Sequence, residues 1–140
     1  MRILLAVAVG LVGVVVLQCA RGPRAAPSLV GVNVSASCGE GSVQFSVAPW
    51  TAIVAQGDSV EWVLGGAGNV DSISVIAANA SDWPFGNGPL LHGRRNLPAR
   101  ASRMRPNAAR PQPYRYKLQF VCVRPGKVDT VVIDPDMIIR

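Results

Sequence analysis

Tyr-Arg-Tyr-Lys-Leu-Gln-Phe-Val-Cys, residues 114–122, sets Tyr114, Tyr116, Leu118, Phe120 and Cys122 at every second position, with Arg115, Lys117 and Gln119 between them. A period of two sends alternate side chains to opposite faces, so this stretch predicts a strand with one aromatic and aliphatic face and one polar face. The same period recurs on both sides of it. Val32, Val34, Ala36 and Cys38 alternate with small or polar residues, as do Val43, Phe45 and Val47, then Val60, Trp62 and Leu64, then Ile73 and Val75. Beyond residue 122, Val128 to Ile133 and Met137 to Ile139 read as two further extended segments. Gly39 to Gly41, the Gln56-Gly57-Asp58 triplet, Gly65, Gly66 and Gly68, Arg124 to Lys127 and Asp134-Pro135-Asp136 punctuate the pattern. In the Gly57-Asp58 pair, glycine takes positive φ and the carboxylate bonds neighbouring backbone. About seven or eight short strands follow, with no helix after the N-terminus and no internal repeat, and the predicted class is an all-β sandwich.

Residues 82–113 break the pattern. They show neither strand nor helix period and carry Pro84, Pro89, Pro98, Pro106, Pro111 and Pro113, so a long irregular loop is predicted there. Arg94, Arg95, Arg100, Arg103, Arg105, Arg110, Arg115 and Lys117 fall in one stretch without an acidic residue. The first six are the candidate contacts to an anionic partner: lipid headgroups, acidic glycans or an acidic protein surface. The competing reading of the loop is a solvated insertion. Trp83, Pro84 and Phe85 open it, and this apolar cluster either plugs one end of the sandwich or faces a partner, with the plug preferred.

The chain has 140 residues, which bounds it to about one domain. Arg2 precedes a run from Ile3 to Leu17 without a polar residue, the pattern of an export signal or membrane anchor over residues 1–20. Residues 21–30 read as a tether and 31–140 as the sandwich. Three fates of the N-terminal segment stay open: cleavage, lipidation at Cys19, and retention as an anchor. Export makes nucleic acid an unnatural partner for a net charge of +6 and favours anionic surfaces outside the cytoplasm, whether the protein is secreted, periplasmic or membrane-tethered. With Cys19 set aside, Cys38 and Cys122 form an even pair in an oxidising compartment. A disulfide between them would close a loop of about 85 residues and add about 4 kcal/mol. A buried thiol is the other reading of Cys122.

The order of these features resembles a cupredoxin. An extended segment, a Gly-Asp turn and a Trp-bearing strand stand at Val54-Ala55-Gln56-Gly57-Asp58-Ser59-Val60-Glu61-Trp62, and an aromatic-rich strand leads to Cys122. The resemblance implies a Greek-key β-sandwich, and in the family a copper ion held by two His, one Cys thiolate and usually an axial Met. Cys122 matches the thiolate position. The first His position holds Asn69, Val70, Asp71 and Ser72 instead, and Val123 to Asp129 supply neither the second His nor an axial ligand. The one histidine, His92, lies in the loop, so a two-His site cannot form within one chain. An altered site from Cys122, His92 and Met104 is the degenerate alternative, and it would make the protein a copper-binding or electron-transfer protein. The expected reading is a module without copper or other cofactor, its ligand unidentified.

Other motifs point to the bland reading. Asp134 and Asp136 lack the further oxygen ligands of a calcium loop, and Gly65, Gly66 and Gly68 lack the Lys and helix of a phosphate loop. Ser72, Ser74 and Ser81 have no elbow motif, so no catalytic residue is assigned and no enzyme is expected. Asn33 and Asn79 each begin an Asn-x-Ser sequon.

Overall fold

The computed structural model describes residues 26–66, 69–108 and 112–140. It contains β1 (Leu29–Cys38), β2 (Val43–Ala48), β3 (Thr51–Val54), β4 (Ser59–Leu64), β5 (Ser72–Ala77), β6 (Leu90–Arg94), β7 (Ala99–Arg100), β8 (Gln112–Arg124), β9 (Lys127–Ile133) and β10 (Asp136–Ile139). One short 3-10 turn, Ala80–Asp82, precedes β6. The described residues are all-β, as the period of two predicts, with more strands than the seven or eight expected. The apolar run of residues 3–17, Cys19 and residues 21–25 of the tether lie outside the described residues, and Leu29 and Val30 belong to β1. Among the described residues no helix is long and apolar enough to cross a membrane.

Two sheets form the sandwich. One runs β2-β1-β4-β7, and the other runs β3-β10-β8-β5-β6, with β9 on the same edge of β8 as β10. The parallel pairs β1 with β4 and β3 with β10 bring together segments far apart in sequence, so the sheets are not built from hairpins alone. β8 organises its sheet. Its first residues pair with β10, its centre with β5 and its second half with β9. β9 and β10 keep one register against β8: Leu118 faces Ile133 and Arg115 faces Asp136, with Pro135 at the break where the missing N–H ends one ladder.

The alternating residues turn inward. Tyr114, Tyr116, Leu118, Phe120 and Cys122 are all buried, against Val32, Val34 and Ala36 of β1, Val60, Trp62 and Leu64 of β4, and Met137 and Ile139 of β10. Burying such side chains contributes about 1.5–3 kcal/mol each. Phe45 departs from expectation: it shares the inward face with Ala36 yet is 45% exposed, because β2 is the sheet edge and no strand covers its rim. The Gln56-Gly57-Asp58 turn forms as read, with Gly57 at φ +92° and the Asp58 carboxylate accepting from Ala55 N at 3.0 Å. Its other oxygen accepts from Ser28 N at 2.8 Å, which fixes the approach to β1.

The segment predicted to be irregular is built into the sandwich. β6 extends the second sheet through β5, β7 extends the first through β4, and Phe85 bridges Met104. The strand period is hidden because the inward positions are Leu91 and Gly93 on β6 and Ala99 and Ala101 near β7, where small residues replace the expected large apolar ones. Small size is required there. A Cβ on Gly93 would stand 2.6 Å from the Ala99 backbone nitrogen, so the two sheets close on each other at this edge. Trp83 and Phe85 form the plug: Trp83 stacks at 6.5 Å on Trp62, which meets Tyr116 edge-on at 5.4 Å, and Phe85 packs edge-on against Trp83 at 5.1 Å.

Candidate functional site

The strand directions give the sandwich two ends. Ser28, the Ala55 to Asp58 turn, Trp83, Pro84 and residues 103–106 gather at the start of β4, here called the proximal end. The Gly39 to Ser42 turn, Gly66, Asp71, Arg95 and the β8–β9 turn lie at the distal end.

The distal end carries Cys38, Cys122 and Asn69. Cys38 at the end of β1 and Cys122 on β8 are joined by a disulfide that ties one sheet to the other, with Cα atoms 5.6 Å apart. Neither sulfur is then a thiolate. Structural disulfides persist in oxidising compartments, so this one points toward an oxidising environment. Asn69 holds this disulfide from the side. Its Oδ1 accepts from Cys38 N at 2.8 Å and its Nδ2 donates to Cys38 O at 2.9 Å, so one carboxamide satisfies both backbone groups of Cys38. Sequence reasoning did not find this role, since a lone Asn beside glycines reads as a turn residue. Nearby, Arg124 donates to Glu40 O at 3.2 Å and lies 3.7 Å from Asp129, which Lys127 also meets at 3.1 Å.

Cys122, His92 and Met104 are not brought together. Cys122 points into the core, whereas His92 is on the outer face of β6, with Nδ1 3.0 Å from Ser74 Oγ. Met104 is buried at the proximal end, where its N–H donates to Asp58 O at 2.9 Å. Among the described residues no group of three or more His, Cys, Asp or Glu could hold a metal ion.

The candidate arginines divide. Arg95 is anchored at the distal end by Asp71 at 3.4 Å and by donation to Gly66 O at 2.9 Å. Arg94, beside it on β6, is exposed. Arg100, on β7, pairs with Glu61 across β4 at 2.6 Å. Arg103 and Arg105 are exposed at the proximal end and make no ion pair among the described residues. Arg110 lies outside the described residues. The length of β4 separates Arg103 and Arg105 from Arg95, six residues at about 3.3 Å each.

Among the clefts at the proximal end, two adjoin the candidate arginines. One, of about 420 Å³, lies between Ala26, Pro27 and Gly57 on one side and Arg103, Met104 and Pro106 on the other. The second, of about 220 Å³, is lined by Asp82, Trp83, Arg105, Asn107 and Tyr114. Asn79, at the sequon, caps the 3-10 turn: its Oδ1 accepts from Ser81 N at 3.2 Å and its Nδ2 donates to Asp82 at 2.6 Å. Beneath these clefts the Tyr116 hydroxyl is buried without a hydrogen-bond partner among the described residues, and burial pushes its phenol up to about 12.

Comparison of the chain with family models and with curated proteins gives no match.

Proposed function

We propose that this chain is a non-catalytic extracytoplasmic module of cupredoxin-like architecture, binding or structural in role and without bound copper. Its N-terminal segment holds it at a membrane or is removed on secretion, and its basic segment contacts anionic envelope components. The observation that carries the reading is the state of Cys122. The one residue at a copper-ligand position is spent in a bond to Cys38, and Asn69, one of the four residues 69–72 in the region of the family's first His, braces that same bond. The Gly-Asp turn before the Trp62 strand and the aromatic strand ending at Cys122 support the fold resemblance, and fold alone does not bring the family's chemistry with it.

Addition of Cu(II) to the reduced and to the oxidised protein, followed by visible absorption and thermal melting, tests this. The expected result is no thiolate-to-copper band and no stabilisation in either state. An intense band, or a stabilisation abolished by Cys122→Ser, would establish the copper-binding alternative.

A further inference from the structure

We infer that the proximal end of the sandwich is a headgroup-facing surface that rests on an anionic lipid bilayer. This inference builds on the proposal that the N-terminal apolar segment is retained in a membrane.

Two observations lead to it independently of each other. The first is covalent. Ala26 and Pro27 line the same cleft as Arg103 and Pro106, so everything N-terminal to residue 26 joins the domain at this end. Only eight residues separate Leu17, the end of the apolar run, from Ala26, and Arg21 and Arg24 lie among them. Fully extended, that many residues span at most about 30 Å, so a domain tethered to a bilayer through them must keep its proximal end close to the headgroups.

The second is the charge pattern. Of the described loop arginines, Arg95 and Arg100 have carboxylate partners within the fold, Arg94 is exposed without one at the distal end, and Arg103 and Arg105 project together without one at the proximal end. Neither carboxylate near them forms an ion pair with them, although the exposed Asp82, in the cleft with Arg105, keeps its negative charge. Asp58 is buried and accepts from two backbone N–H groups, and Asp82 is bonded to Asn79 and Ser81. Arg103, in the cleft with Ala26, and Arg105 therefore make a basic edge at the end where the described chain begins. Basic residues beside a membrane segment gain about 1 kcal/mol each near an anionic surface, within a Debye length of it. Guanidinium groups suit phosphate because they donate two parallel hydrogen bonds to it.

The test uses the full chain added to preformed vesicles of pure phosphatidylcholine and of phosphatidylcholine mixed with phosphatidylglycerol. Flotation reports anchorage, and phenylglyoxal labelling read by mass spectrometry reports the exposure of each arginine. The inference expects flotation with both vesicle types, and severalfold slower labelling of Arg103 and Arg105 on the anionic vesicles, reversed by high salt. Arg94, exposed at the distal end, should label at one rate throughout. Flotation with equal labelling of Arg103 and Arg105 on both vesicles would overturn the inference while leaving anchorage intact, and would hand the arginines to a soluble acidic partner. Equal slowing of Arg94 would overturn it as well, because the domain would then lie on the surface without a preferred end. Failure to float with either vesicle would remove the anchorage on which the inference stands.

Discussion

Tyr116 carries a hydroxyl that the core neither pairs nor exposes. Its phenol is raised from the ordinary value near 10 to about 12 by burial, so between those values the unfolded chain releases a proton that the folded chain retains. The contribution to stability is complete below pH 10, declines as pH rises toward 12, and amounts to about 2–3 kcal/mol over that window. Tyr116→Phe should melt within about 1 kcal/mol of the parent at neutral pH, because it removes an unpaired polar atom and keeps the ring against Trp62. Denaturant unfolding at a series of alkaline pH values should then show the parent losing stability relative to the variant. Asn69 makes the opposite prediction. Its two bonds to Cys38 have no replacement, so Asn69→Ala should lower unfolding free energy by about 1–2 kcal/mol, and Asn69→Asp, which keeps the acceptor and loses the donor, by less. Trp62 was legible as core from its place in an alternating run. Asn69 was not, because its partner is 31 positions away and no local pattern announces a side chain that stands in for a neighbouring strand.

Strands with large inward residues announced themselves, and strands with small ones did not. β8 could be read from Tyr114 to Cys122 without help, whereas β6 and β7 were hidden by Gly93, Ala99 and Ala101 and by flanking prolines that favour a loop. The reason is steric: at that edge the sheets approach so closely that a methyl group at residue 93 would collide with the Ala99 backbone. Gly93→Ala should therefore destabilise the protein by about 1–3 kcal/mol, measured by denaturant melting, although alanine is the better residue in an open strand. A cost near zero would mean that β6 and β7 do not close the sandwich. Two of the prolines fit this arrangement, although Pro113 lies within β8. Pro89 and Pro98 stand just before β6 and β7, where a missing N–H interrupts no ladder.

At the scale of the whole molecule, the disulfide is, among the described residues, the one covalent cross-link between the sheets apart from the backbone, joining residues 84 apart. Replacing Cys38 and Cys122 together by Ser should cost about 4 kcal/mol through the freedom restored to the unfolded chain, with the folded strands otherwise retained. Equal melting of the parent and the double variant would contradict that. The even number of cysteines after Cys19 made the pairing readable as one of two options, and the structure decides it because β1 and β8 are packed face to face at the distal end. The arginines were read as one group from their closeness in sequence. In space β6 carries Arg94 to one end and the return through β7 carries Arg103 and Arg105 to the other, a separation that only the strand directions reveal.

The account rests on Cys122 being a structural sulfur and not a metal ligand. Non-reducing peptide mapping of the protein recovered from outside the cytoplasm of its host, with free thiols alkylated before unfolding, tests it most directly. The account predicts a cross-linked pair of peptides containing Cys38 and Cys122 that separates on reduction, with no alkylation at either residue. Alkylated Cys38 and Cys122 in the folded protein would contradict it, and would return Cys122 to the list of available thiolates.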